Sequence, residues 1–504
     1  MKKVKSIILY SLLTASSGTL YTSCSDSLDL SPIDYYGSGS YWQTEAHVVG
    51  YMDGIHKHLR DASFQHTFLW GEVRGGALIS SGTSADGMGM LYGDLKLQNF
   101  DEDHTGGIKN FGDIFGRLTN INLFIARVTE ATYMDEAKKG YYLGQAYGLR
   151  AFYFFDLYRT YGGVPLRLTA EVVEGIIDPN VLYMARATPK EVMDQIKKDL
   201  NESMKYFGDN NSFDPYGRGN LKGYWSKAAT ECLMGEVYLW ISKVTTDDDI
   251  ANETNLTIAK THLQNVINNY GLKLMDDFSS VFDAKNGKGN EEIIFAVRYA
   301  ESEAENNNKL FTYAMATGST KDNYLSNGDK FLDALNIGNT GSQQLEYKHE
   351  IYNSFDETDT RREATFIASY SKNTETNELT LRGTHVRKNI GYVNAQGNRI
   401  YCGDYIFYRL PLVYLMLAEI ENMQGGDVAQ YINIIRKRAY NTNWDETTYG
   451  YKNSDFTTNE LAILHEKDKE FIQEGQRWWD IRRMTLTKGG KHLVFCKEGN
   501  IDTN

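Results

Sequence analysis

The residues with the clearest chemical potential are aromatics set in polar, glycine-rich sequence. Between 70 and 100, Trp70 and Tyr92 stand among Gly71, Gly75, Gly76, Gly82, Gly87, Gly89 and Gly93. Between 299 and 333, Tyr299, Phe311, Tyr313 and Tyr324 alternate with polar runs such as Glu305, Asn306, Asn307 and Asn308. Rings of this kind pack on the axial C–H groups of pyranose sugars while neighbouring amides and carboxylates bond the hydroxyls, so these six aromatics are the candidate ligand contacts. Each can equally fold back onto its scaffold. The glycine-rich stretch lacks the Walker spacing that cradles phosphate. Catalytic patterns fail in the sequence: His465-Glu466 is followed by Lys469 where a zinc protease needs a second histidine, and no G-x-S-x-G, C-x-x-C or G-x-G-x-x-G occurs. A carboxylate pair for glycoside hydrolysis stays open among 66 acidic residues, but no catalytic residue is assigned.

The elements that would hold such loops read as helices. Periodicity and breakers place them at Glu45 to Arg60, Gly107 to Glu130, Asp135 to Tyr161, Pro189 to Tyr206, Tyr224 to Ser242 and Thr257 to Asn268. Three more follow. One opens at Arg409, Leu410 and Pro411, is apolar nearly all round, and carries a late Glu419 that needs a partner. The next, Val428 to Ala439, sets Ile432, Ile435 and Ala439 on one stripe and Arg436, Lys437 and Arg438 largely off it, as a solvated face would. The last runs through Leu461, Leu464, Phe471, Gly475 and Trp478, with Lys469, Glu470, Glu474 and Gln476 pointing away; Glu474 and Asp480 are expected to pair with Arg477, Arg482 or Arg483, and Trp478 and Trp479 to be core. Leu143-Gly144 with Tyr147, and Met234-Gly235 with Tyr238, fit the small-residue core of a tetratricopeptide helix without its full 34-residue pattern.

At the N-terminus Lys2, Lys3 and Lys5 precede an apolar stretch, Ile7 to Leu20, with the layout of a secretory signal rather than a membrane span. Ser23 before Cys24 supplies a lipoprotein cleavage point, although Tyr21 stands where leucine is usual. Two or more acyl chains on Cys24 give stable anchoring. The expected division is 1–23 as signal and 24–504 as one mature unit. The formal charge is 53 minus 66, or -13, and removal of the three signal lysines makes it -16, a balance that argues against nucleic acid. Of the remaining cysteines, Cys232 reads as core and a Cys402 to Cys496 bridge is left open. No cofactor is expected; no twelve-residue calcium loop occurs, and bound calcium is left open.

The chain resembles the SusD/RagB family of outer-membrane nutrient-uptake lipoproteins. The resemblance is carried by Leu149 to Leu166 (LRAFYFFDLYRTYGGVPL), by Leu274 to Asp283 and Glu291 to Val297, and by Tyr352, Asp356, Asp359, Arg361 and Arg362. It continues through Tyr408, Arg409, Leu410, Glu419, Ile432, Asn433, Arg436 and Arg438 to the run from Lys469 to Arg482. It implies a mostly all-α fold: tetratricopeptide-like helix pairs in a right-handed superhelical scaffold, with long irregular loops and minor β structure. Within the mature unit it implies an N-terminal part at 24–240, a loop-rich ligand-facing part at 241–405 and C-terminal helices at 406–504. It implies a non-enzymatic, surface-exposed, lipid-anchored outer-membrane protein that captures a glycan and delivers it, as a lid, to a SusC-like TonB-dependent barrel. Asp26 and Asp29 resemble the acidic tags of surface export. Oligopeptide capture, as in members resembling RagB, is the alternative within the binding class, and a surface glycosidase the rival outside it.

Overall fold

A computed structural model of the chain describes residues 41–80, 111–170, 178–219, 222–306, 322–337 and 345–484. Ten helices of seven residues or more carry the described architecture: α1 Glu45–Phe64, α2 Gly112–Thr129, α3 Glu136–Tyr161, α4 Pro189–Phe207, α5 Lys227–Lys243, α6 Leu256–Asn269, α7 Leu410–Gln424, α8 Ala429–Tyr440, α9 Phe456–Glu470 and α10 Arg477–Arg483. Local chemistry sets their ends. Asp135 caps α3 by accepting from Ala137 N and Lys138 N at 2.9 and 3.1 Å. At α4, Thr188 and Glu191 form a reciprocal capping box ahead of Pro189, and Gly425 at φ 70° closes α7 in the left-handed region.

Neighbouring helices stack in chain order, α1 on α2, α2 on α3, α3 on α4, α4 on α5, α5 on α6 and α6 on α7, with α8 and α9 closing against α7. One large core runs through all of them. The small residues of the tetratricopeptide-like fragments are where the helices come closest: a Cβ on Gly144 would lie 2.9 Å from the Phe207 ring and one on Gly235 2.4 Å from Leu263. Cys232 is buried in this core, as expected, and among the described residues no helix is long and apolar enough to cross a membrane.

Among the described residues the β structure is a set of four two-stranded antiparallel ribbons: β1 Leu78–Ser80 with β3 Leu345–Tyr347, β2 Ile293–Val297 with β8 Tyr405–Arg409, β4 Phe366–Lys372 with β5 Leu379–Val386, and β6 Tyr392–Val393 with β7 Arg399–Ile400. The β2–β8 ribbon pairs Ile293 with Arg409 and Val297 with Tyr405, and it is buried throughout.

Two sequence expectations are corrected here. The last long helix is two: residues 471–476 form a turn between α9 and α10, with Gln473 at φ 62° and Gly475 at φ 73°. A Cβ on Gly475 would sit 2.2 Å from the Thr67 carbonyl, so the turn is built to press against the π-helical turn Gln65–Leu69 that follows α1, and Trp478 N donates to Gly71 O at 2.8 Å. The second correction concerns charge. Glu470, Glu474 and Arg438 are buried rather than solvated. They belong to a cluster in which Arg361, Arg409, Arg436, Arg438 and Lys388 meet Asp359, Glu292, Glu466, Glu470 and Glu474, five cations against five carboxylates. Arg409 bridges Glu292, Glu470 and Glu474 at 2.9, 2.5 and 2.7 Å. Glu474 therefore pairs with Arg409 and Lys388, not with the α10 arginines.

Glu419 finds the partners it needed. It meets Lys243, Lys467 and Arg483, while Glu460 takes Lys243 and Asp480 takes Lys467 and Arg483, which balances three cations with three carboxylates. Burial alone would raise the Glu419 carboxyl, but those three cations override it and hold it well below the usual range. Trp478 and Trp479 are core, as expected.

Candidate functional site

A solvent-open cleft of about 530 Å³ lies between the middle of α1, residues 218–219 and 223–224, the end of β2 and the turn that holds Glu303. Amphipathicity explains the first wall. Met52, Ile55 and Leu59 fix α1 in the core, which leaves Asp53, His56, Lys57 and Arg60 at or near its outer face. Gly217 and Gly219, at φ 64° and 67°, turn the second wall back toward it, and Asp214 ties the turn by accepting from Arg218 N at 2.9 Å and Gly219 N at 2.7 Å.

Two ion pairs flank the cleft. Arg218 bonds both oxygens of Asp53, at 3.0 and 2.8 Å, and the Tyr224 hydroxyl donates to the same carboxylate at 2.6 Å. The Arg218 guanidinium also covers the Tyr224 ring at 4.8 Å, and His56 meets that ring edge-on at 4.9 Å. On the other side Arg60 pairs with Glu303. His56 is pinned through both nitrogens: Nδ1 lies 3.0 Å from the Met52 carbonyl, and Nε2 accepts from Trp225 N at 3.0 Å. That arrangement requires the neutral ring protonated at Nδ1, and burial pushes its pKa down to about 4. The Arg218 and Asp53 side chains remain 26% and 42% exposed, so their bonds add little to stability and stay within reach of an occupant.

Chemically the cleft offers fixed donors and acceptors. Its two carboxylates, Asp53 and Glu303, are each held by a guanidinium. Among the described residues no cluster of three or more His, Cys, Asp or Glu could hold a metal ion.

The comparisons decide the family. A structure of a SusD superfamily protein from Bacteroides fragilis is similar at 66% identity, with 92% of each chain covered and a TM-score of 0.84. The chain belongs to the SusD family. Residues 281–493 match the SusD family itself, and residues 92–239 match a group described as starch-binding and associating with the outer membrane. Bacteroides fragilis NanU is also similar, at 33% identity over 90% of this chain and 92% of that one, with a TM-score of 0.80. A SusD-like protein, P38, of Formosa agariphila is 24% identical over 96% of this chain and 92% of its own. SusD-like proteins bind rather than catalyse, and the mostly helical fold with minor sheets is the SusD-like fold.

For this SusD-family chain, the three expected ligand aromatics that fall among the described residues, Trp70, Tyr299 and Tyr324, do not line the cleft. Trp70 is fully buried, edge-on to His66 at 5.1 Å and to Tyr161 at 6.1 Å, so it has no face for a ligand in this structure. Tyr299 is 6% exposed, its hydroxyl shared with Ser63 at 2.8 Å and its amide held by Asp404 at 2.9 Å. Both pack into the scaffold in this structure, the alternative that the sequence left open for each. Tyr324 is half-buried; its backbone pairs with Tyr370 and Lys372 lies 5.6 Å from its ring. Tyr92, Phe311, Tyr313, Cys24 and Cys496 lie outside the described residues, and Cys402 is buried. The cleft residues Asp53, Arg60, Arg218, Tyr224 and Glu303 went unnoticed in the sequence. Their one local signal is Gly54, a glycine in the interior of α1 one turn after Gly50.

Proposed function

We propose that this protein is a lipid-anchored lipoprotein, modified at Cys24, that captures an oligosaccharide at the cell surface and passes it as a lid to a SusC-like TonB-dependent barrel. Membership of the SusD family, together with the starch-binding, outer-membrane description of the group matched by residues 92–239, supports capture of a glycan. The observation that carries the reading is the open cleft with its two exposed ion pairs, since paired planar donors and acceptors bond vicinal hydroxyls without demanding charge from the ligand. Tyr92, Phe311, Tyr313 and Tyr324 are proposed as further ligand contacts.

Oligopeptide capture is the second reading, because the described cleft presents charged pairs where an aromatic platform was expected. Mild-detergent extraction of the native membrane tests the assembly: co-purification with a large barrel protein is expected, and a lone monomer would contradict it. Calorimetry against mixed peptides separates the two ligands, with saturation by peptide and silence toward saccharide overturning the glycan reading.

A further inference from the structure

Helix interiors disfavour glycine, so each one needs a reason. In α3 and α5 the reason is packing: a Cβ on Gly140, Gly144, Gly148 or Gly235 would come within 2.8, 2.9, 2.0 or 2.4 Å of a neighbouring element. Gly54 in α1 differs. Nothing lies within 4 Å of a Cβ built on it, it is half-buried, and the space above it is the cleft itself. Its neighbour Asp53 carries one ion pair and Arg60, two turns on, carries the other. Gly50, one turn earlier in α1, meets only the Tyr41 hydroxyl at 4.0 Å and does not line the cleft, and Gly116 in α2, which likewise has no atom in reach, is exposed and away from the cleft.

We propose that Gly54 is the seat of the ligand: the missing side chain lets a ring-shaped, hydroxyl-bearing unit lie against the backbone of α1, between Asp53–Arg218 on one side and Arg60–Glu303 on the other. The proposal rests on the saccharide reading above and adds the residue that sets how closely a ring approaches. A methyl group there occupies the ligand's volume. It costs the fold nothing, because the space is open and alanine favours a helix more than glycine does.

Gly54→Ala and Gly116→Ala therefore form a matched pair. Both are compared with the wild-type mature protein by calorimetric titration with maltohexaose, inulin-derived fructan, released mucin glycans, released N-glycans and pectin oligomers, and by scanning calorimetry. Wild-type saturation by one of these, with Gly54→Ala weakened at least about tenfold and Gly116→Ala unchanged, supports the seat. Both variants should melt no lower than wild type, with a gain of about 1 °C. A Gly54→Ala protein that binds as wild type does overturns the seat and leaves glycan capture standing. A lowered melting temperature for Gly54→Ala shows that the space is not open and also overturns it. Wild-type silence across the panel removes the glycan reading, and the seat falls with it.

Discussion

Arg409 is the residue whose removal tests the buried charge cluster most sharply. It is 1% exposed and donates five hydrogen bonds: to Glu474 Oε2 and Oε1 at 2.7 and 2.8 Å, Glu292 Oε1 at 2.9 Å, Glu470 Oε1 at 2.5 Å and the Glu470 carbonyl at 2.7 Å. Arg409→Met leaves four cations against five carboxylates. Breaking a buried pair from one side costs about 3–5 kcal/mol because the stranded charge is not rehydrated. Here each carboxylate keeps a cation, Arg438 and Arg361 at Glu470, Lys388 at Glu474 and Arg438 at Glu292, so the lower end, about 3 kcal/mol, is expected. With an unfolding entropy of about 2.1 cal/mol/K per residue, a chain of this length loses about 1 kcal/mol per degree, and the melting temperature should fall by about 3 °C. Adding Glu474→Gln restores the balance at four against four. The double variant should then be less destabilised than the sum of the singles by at least about 1 kcal/mol. Scanning calorimetry of the four proteins reads both quantities. A single variant within 1 °C of wild type, or strict additivity, would refute the view that mutual neutralisation holds α8 and α9 to the β2–β8 ribbon.

Two buried groups titrate in opposite senses. His56, held neutral with its pKa near 4 against 6.5 when free, contributes stability that is complete above pH 6.5 and lost as pH falls toward 4, about 3 kcal/mol in all. Glu72 is pushed by burial up to about 7 from 4.5, despite bonds from Tyr347 OH, Gln473 N and Gly475 N, so the folded state holds its proton and loses stability as pH rises from 4.5 to 7. These slopes offset each other in the wild type. His56→Gln should uncover the Glu72 slope, with a melting temperature that declines relative to wild type between pH 6.5 and 4.5 least at the acid end; parallel curves for the two proteins would show that His56 is not held neutral. Trp70→Ala should behave as a core deletion, costing about 3–5 kcal/mol and lowering the yield of folded protein, while whatever folds binds as wild type does. Selective loss of binding with an unchanged melting temperature would return Trp70 to the ligand.

The helices were legible because their signals are local. Asp135, Thr188 with Glu191, Pro189 and Gly425 mark ends within four residues of the hydrogen bonds that they make, and the apolar stripes of α4 and α6 repeat at helical spacing. What misled was charge. A hydrophobic pattern assigns Glu470, Glu474 and Arg438 to solvent, and only partners remote in sequence make their burial tolerable: Arg409 lies 61 positions from Glu470, and Arg438 146 from Glu292. The turn at 471–476 was missed for the same reason, since Gly475 looks like a residue on a helix until Thr67 is brought against it. The residues that carry the family resemblance at Arg409, Glu419, Arg436, Arg438 and Glu470 to Asp480 are largely this internal ionic framework; they identify the scaffold and say nothing about ligand. The cleft left almost no trace, because Asp53 meets Arg218 across 165 positions and Arg60 meets Glu303 across 243.

Calorimetric titration of saccharides into the mature protein and its Arg218→Ala variant tests the central claim most directly. The Asp53–Arg218 pair is exposed enough that its loss should cost under about 1 kcal/mol and leave the fold intact. Saturable binding of one glycan by the wild type, weakened by tenfold or more in a variant that melts within about 1 °C of it, is the predicted result. A folded variant that binds the same glycan unchanged, or a wild type that binds peptides and no saccharide, would contradict glycan capture at this cleft.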